Sequence, residues 1–87
     1  MANQLNLEVV TPTQMLISTK ADSVILPGTV GELGILPSHI PLLTTLKAGS
    51  VVYHLNGQPH TVALSSGYAQ VENDRITVLA KIEEVTN

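Results

Sequence analysis

The chain has no cysteine, no tryptophan and no phenylalanine, and it has only two tyrosines. Without cysteine it can build neither a disulfide framework nor a thiolate metal site. With so few aromatics its core must come from Val, Ile, Leu and Ala. Basic residues are also scarce. Lys20, Lys47, Arg75 and Lys81 are scattered among seven acids, for a net charge of −3. This argues against nucleic acid as a partner, because phosphate recognition needs a basic patch. No apolar run approaches the roughly 20 residues needed to span a bilayer as a helix. The first residues, Met-Ala-Asn-Gln, do not lead from a positive region into an apolar one, so they do not read as a signal peptide. The expectation is a soluble intracellular protein. The 87 residues predict one domain, 1–87, of a size that buries a modest fraction of its surface and is only marginally stable alone. The initial Met and the lack of a tag fit a whole natural chain.

What the chain has is turn chemistry, concentrated between Leu26 and Leu43. That stretch, LPGTVGELGILPSHIPLL, holds three of the six glycines and three of the five prolines. Leu26-Pro27-Gly28 reads as a turn, since Pro presets φ and Gly tolerates positive values. Gly31 and Gly34 flank Glu32-Leu33 and let the backbone bend or a neighbour approach. Pro37 and Pro41 each remove a backbone donor and disfavour helix in the preceding residue. The stretch therefore predicts short strands joined by a shaped, rigid connector, with Thr29, Glu32, Ser38 and His39 as its polar side chains.

The rest of the chain reads as strands. Leu5–Val10 alternates apolar and polar residues, the period of a half-buried strand. Met15–Thr19, Lys20–Leu26, Glu32–Leu36 and Leu42–Leu46 are the next four. Asn56-Gly57 is the preferred pair for a two-residue type I′ hairpin, which sets Leu55 opposite Gln58, Tyr53 opposite His60 and Val51 opposite Val62. Val51, Tyr53, Leu55, Val62 and Leu64 then share the core face. A second hairpin turning at Asn73-Asp74 sets Glu72 opposite Arg75, Val71 opposite Ile76 and Ala69 opposite Val78, with the four apolar residues on one face. Glu72 and Arg75 become an exposed cross-strand pair of small energetic weight. Frequent turns, short alternating strands and the lack of an amphipathic helix predict an all-β sandwich or barrel. The tail from Lys81 to Asn87 is too short for an independent helix.

Each candidate site has a plainer reading beside it. Gly28, Gly31 and Gly34 fit neither nucleotide-binding glycine pattern, and Pro37 spoils the helix such a pattern requires, so turn geometry is preferred. His39, His54 and His60 could suggest a metal. The hairpin register sends His54 and His60 to opposite faces, however, and no carboxylate stands at ligand spacing. Ser38, His39 and Glu32 contain the atoms of an acyl-transfer triad. Adjacent side chains on extended backbone diverge, though, and nothing supplies an oxyanion hole. No cofactor, metal or catalytic group is expected. Glu32 between two glycines is either a solvated loop carboxylate, the usual fate of Glu, or a charge presented to another protein on a narrow tip.

Gly31-Glu32-Leu33-Gly34, Pro37-x-His39-x-Pro41-Leu42-Leu43-Thr44 and Lys47-Ala48-Gly49, in register, closely resemble the pattern of the epsilon subunit of F-type ATP synthases, called delta in mitochondria. The resemblance begins near Leu7 and covers most of the chain. It implies a β-sandwich of about ten strands, in a flattened-barrel arrangement, which in the family is followed by a two-helix hairpin. It further implies a non-catalytic rotor subunit that joins the gamma shaft to the membrane rotor ring of c subunits and meets the catalytic alpha/beta head only indirectly. Location would be the cytoplasmic face of an energy-coupling membrane, a bacterial inner membrane or an organellar one. By position, Glu32 matches the acidic tip facing the ring, His39 and Thr44 match positions close to gamma, and Leu42, Leu43 and Gly49 match scaffold positions.

Two departures stand out. Ser38 occupies a position where the pattern has Gly. Serine would be strained at positive φ, so ordinary backbone is expected there. The chain also stops near Asn87, about where the sandwich finishes, so the helical hairpin and the functions it carries, inhibition of hydrolysis and in some members ATP binding, are not expected of these residues. The competing readings are a stand-alone β-sandwich binding module that uses an open sheet edge or the 28–34 loop, and a small enzyme.

Overall fold

The structure is a computed structural model that describes residues 4–81. It contains nine strands: β1 (Leu5–Val10), β2 (Met15–Ala21), β3 (Ser23–Gly28), β4 (Gly31–Ile35), β5 (Leu42–Leu46), β6 (Gly49–Leu55), β7 (Gln58–Leu64), β8 (Ser66–Glu72) and β9 (Arg75–Lys81). No helix occurs among the described residues. The strands form one curled sheet in the order β2-β1-β9-β8-β5-β3-β6-β7, with β4 on the other side of β3. The curl folds it into two facing layers, β2-β1-β9-β8-β5 and β4-β3-β6-β7. They are joined where Gly28 pairs with Leu46. All pairings are antiparallel except β1 with β9.

Both expected hairpins form with the expected registers. Leu55 faces Gln58 and Tyr53 faces His60 across the first, and Glu72 faces Arg75 across the second. Each turn has two residues at positive φ, Asn56 and Gly57 in one and Asn73 and Asp74 in the other. This twist matches that of the flanking strands. Alternation then fills the interior. Ile17, Val9, Val78, Ala69 and Thr44 form one inward row across β2, β1, β9, β8 and β5. Leu7, Ile76, Val71 and Leu42 form the next. Leu5, Val24, Leu26, Ile35 and Val51 complete an aliphatic core that includes no buried polar side chain among the described residues.

The boundaries differ from expectation at three places. Lys20 and Ala21 belong to β2, because Ala21 pairs with Leu5 and the corner falls at Asp22. The Asp22 N–H donates to the His54 carbonyl at 2.7 Å. Its carboxylate accepts from the Gln4 side chain at 3.1 Å and from the Asn56 N–H at 3.0 Å. β4 runs one residue earlier than predicted, from Gly31 to Ile35. Leu26-Pro27-Gly28 is strand rather than turn, and the chain reverses at Thr29-Val30. Proline is tolerated there because β3 changes neighbours beside it: Gly28 pairs with β5, while pairing with β6 resumes only at Ile25. A missing donor at that handover breaks no regular ladder bond, and the Pro27 carbonyl still accepts the Lys47 N–H at 2.9 Å.

Ser38 corrects a further expectation. Its φ is 70°, the left-handed region that glycine enters freely and serine does not. Of the expected tail from Lys81 to Asn87, Lys81 ends β9 and residues 82–87 lie outside the described residues.

Candidate functional site: an outer face and two ends

Strand directions give the sandwich two ends. Leu46, Gly67, Lys81 and the Thr29-Val30 turn lie at one, where the layers join. The Asn73-Asp74 turn and the Leu36–Pro41 connection lie at the other. The Ser38 N–H donates to Asp74 Oδ1 across that second end, at 2.6 Å.

The three residues singled out from sequence fall in three different places. Glu32 is exposed on β4 opposite Pro27, at the joined end. It lies on a strand just past the turn, and the tip itself is Thr29-Val30, with Val30 94% exposed. His39 is half-buried in the connection at the far end. Its N–H donates to the Leu36 carbonyl at 3.2 Å, and its Nδ1 lies 2.6 Å from the Ile40 carbonyl. A carbonyl only accepts, so Nδ1 carries the proton and the ring is fastened to its own segment. Thr44 is half-buried on the inward row, and its hydroxyl donates to the Thr45 carbonyl at 3.2 Å. Leu43 and Thr45 on either side of it point outward. The other two histidines sit on opposite faces of the β6–β7 hairpin. His54 Nδ1 is a long 3.5 Å from the Ser23 hydroxyl, and His60 stacks on the Tyr53 ring with centroids 4.9 Å apart.

The outer face of β1, β9, β8 and β5 carries a signal that the polar candidates concealed. Its rows change character from one end to the other. Lys20, Asn6, Arg75 and Glu72 align near the far end, and Ser18, Glu8, Thr77, Gln70 and Leu43 align in the middle. Val10, Leu79, Tyr68 and Thr45 align near the joined end. Tyr68 is 57% exposed, Leu79 54% and Leu43 74%. A groove of about 610 Å³ runs beside this last row, lined by Val10, Pro12, Thr45, Tyr68, Leu79 and Lys81 among others. Exposed leucines are ordinary singly, but Val10, Leu79 and Tyr68 lie side by side along a groove, which makes this row a candidate interaction surface. The register was legible from the second hairpin: if Ala69 and Val78 face in, then Tyr68 and Leu79 face out.

The fold has known counterparts. A family model described as the ATP synthase, Delta/Epsilon chain, beta-sandwich domain matches residues 4–85. The chain belongs to this family. Among its relatives, the ATP synthase epsilon chain of Nitratidesulfovibrio vulgaris strain DP4 is 46% identical over 84 residues, covering 97% of this chain and 63% of the relative. That of Citrifermentans bemidjiense is 44% identical, covering 97% and 61%. The chain thus spans about three-fifths of the length of these relatives. Two solved structures share the fold. A chain of the Euglena gracilis mitochondrial ATP synthase, in an OSCP/F1/c-ring structure, superposes with a TM-score of 0.83 at 20% identity, over 94% of this chain and 52% of its own. A chain of the Tetrahymena thermophila mitochondrial ATP synthase central stalk/c-ring superposes with 0.68 at 14%, over 90% and 65%. The beta-sandwich domain of that family accounts for the all-strand architecture of the described residues.

Proposed function

We propose that this chain is a non-catalytic rotor subunit of an F-type ATP synthase, a single domain that joins the gamma shaft to the membrane ring of c subunits and couples ion translocation to ATP synthesis. Family membership over residues 4–85 carries the reading. The architecture suits it: two facing layers tied by short turns make a stiff body, and torque transmission needs stiffness rather than a reactive group. No helix among the described residues is long and apolar enough to cross a membrane, which fits a subunit held peripherally, at the cytoplasmic face of a bacterial inner membrane in this reading. The apolar outer row of Val10, Leu79 and Tyr68, together with Leu43 and the connection bearing His39, would face gamma. Thr44 would contribute by fixing Leu43 and Thr45 on either side of it. Glu32 at the joined end, beside the protruding Val30, would face the polar loops of the ring.

The test is co-purification with the gamma subunit of the same source. A stable one-to-one complex is expected, and a folded chain that forms none would favour a stand-alone module. The observation behind that alternative is that β2, β4 and β7 each have one strand neighbour in the sheet, leaving edges to which another chain could add. Glu32→Lys separates the two ends of the rotor reading. Glu32 is exposed on an edge strand, so the substitution should move stability by no more than about 0.5 kcal/mol. Capture of gamma should persist while proton-driven ATP synthesis in reconstituted vesicles falls. Loss of the circular dichroism spectrum would instead identify Glu32 as a structural carboxylate.

A further inference from the structure

Of the four non-glycine residues at positive φ among the described residues, two, Ser38 and Asp74, are bonded to each other. Ser38, in the β4–β5 connection, has φ 70°. Asp74 has φ 60° and takes the second place of a type I′ turn, the place held by Gly57 in the other hairpin and preferred for glycine generally. The Ser38 N–H donates to Asp74 Oδ1 at 2.6 Å. The Asp74 carbonyl in turn accepts the Asn6 N–H at 2.8 Å, which anchors the turn to β1. Aspartate at 74 therefore does what glycine there could not: it reaches across to the connection. Left-handed residues that persist outside glycine are held by their surroundings and cluster where position matters.

We propose that Asp74 is a positioning residue, whose carboxylate holds the Leu36–Pro41 connection in the path that presents Ile40 and His39 to the gamma subunit. The proposal rests on reading this surface as the gamma side. Ile40 is 74% exposed, and the His39 ring is fastened to the Ile40 carbonyl, so both move with the connection. Remove the carboxylate, and a serine at positive φ loses the bond that offsets its conformational cost. The connection then samples other paths. If the held path falls to about a tenth of the population, affinity for a partner that reads it falls about tenfold.

Two measurements test this on the full 87-residue chain. The first is amide hydrogen exchange at Ser38 by NMR: Ser38 is exposed, so protection of its N–H reports the bond to Asp74. The second is affinity for purified gamma. Asp74→Ala should remove the protection and weaken gamma binding by about tenfold, with the β-sheet spectrum retained. Asp74→Asn, which keeps the accepting oxygen, should retain most of both. Ser38→Gly combined with Asp74→Ala should recover several-fold of the lost affinity, because glycine adopts the left-handed backbone unaided. A merely structural aspartate would give no such rescue. Protection at Ser38 that survives Asp74→Ala would overturn the proposal, as would lost protection with unchanged affinity. Failure of the wild-type chain to bind gamma would overturn the reading of the surface and the presentation to gamma with it, and is separable because exchange at Ser38 does not involve gamma.

Discussion

Gly67→Ala is expected to cost this domain a substantial share of its stability. Gly67 lies on β8 in the inward row between Leu46 of β5 and Ala80 of β9. A Cβ placed there would clash with the Leu79 carbonyl oxygen and lie 3.2 Å from the Leu79 carbonyl carbon and 3.3 Å from the Ala80 Cα. All three are backbone atoms of the partner strand, so no side chain can swing aside. The methyl fits only if β8 and β9 separate, which breaks ladder bonds at the joined end. Overpacking of this kind costs about 1–3 kcal/mol and sometimes more. Alanine's smaller unfolded-state entropy returns only about 0.4–1 kcal/mol, and only where the native backbone accepts it without strain. A domain of this size has roughly 5–15 kcal/mol in total, and each kcal/mol shifts its melting temperature by about 4–8 °C. The melting temperature, followed by circular dichroism, should therefore fall by roughly 4–24 °C. A variant that melts with the wild type would mean that the β8–β9 ladder is far more compliant than its register implies.

Most of this fold follows from local chemistry. Asn56-Gly57 and Asn73-Asp74 fix two hairpins because a two-residue turn leaves no freedom of register, and the period-2 alternation of Leu5–Val10 fixes which face of β1 goes inside. The misreadings share a different origin: each depends on a residue distant in sequence. Pro27-Gly28 looks like a turn until β5 and β6 are seen to exchange places beside it. Ser38 looks unable to take positive φ until Asp74, 36 residues away, is seen to accept its N–H. The site was partly legible as well. The outward placement of Tyr68 and Leu79 follows from the hairpin register, but an inspection confined to charged and polar groups passes over it. What no local reading supplies is that Val10 and Thr45 extend that row across four strands, since the parallel pairing of β1 with β9 is set by the whole sheet.

Tyr68, the immediate neighbour of Gly67, gives the complementary prediction: a large effect on assembly with little effect on folding. Its side chain points outward from β8, 57% exposed, between Leu79 of β9 and Thr45 of β5. In the isolated domain it packs along those neighbours and leaves much of its ring in water, so Tyr68→Ala should lower stability by about 1 kcal/mol or less. Against the proposed gamma partner the balance should reverse. The ring stands at the groove in the one apolar row of this face, with Leu79 and Val10 on one side and Leu43 on the adjoining row. A rigid aromatic closed off from water at the middle of such a patch is the usual anchor of a protein interface, and truncating one costs about 2 kcal/mol or more. That is roughly a thirtyfold loss of affinity at 1.4 kcal/mol per factor of ten. Thr61→Ala, on the outer face of the opposite layer, is the control and should bind as the wild type. If Tyr68→Ala binds gamma undiminished while the control also does, the contact face is not this one. If both weaken alike, the two layers contribute together and the partner wraps the sandwich.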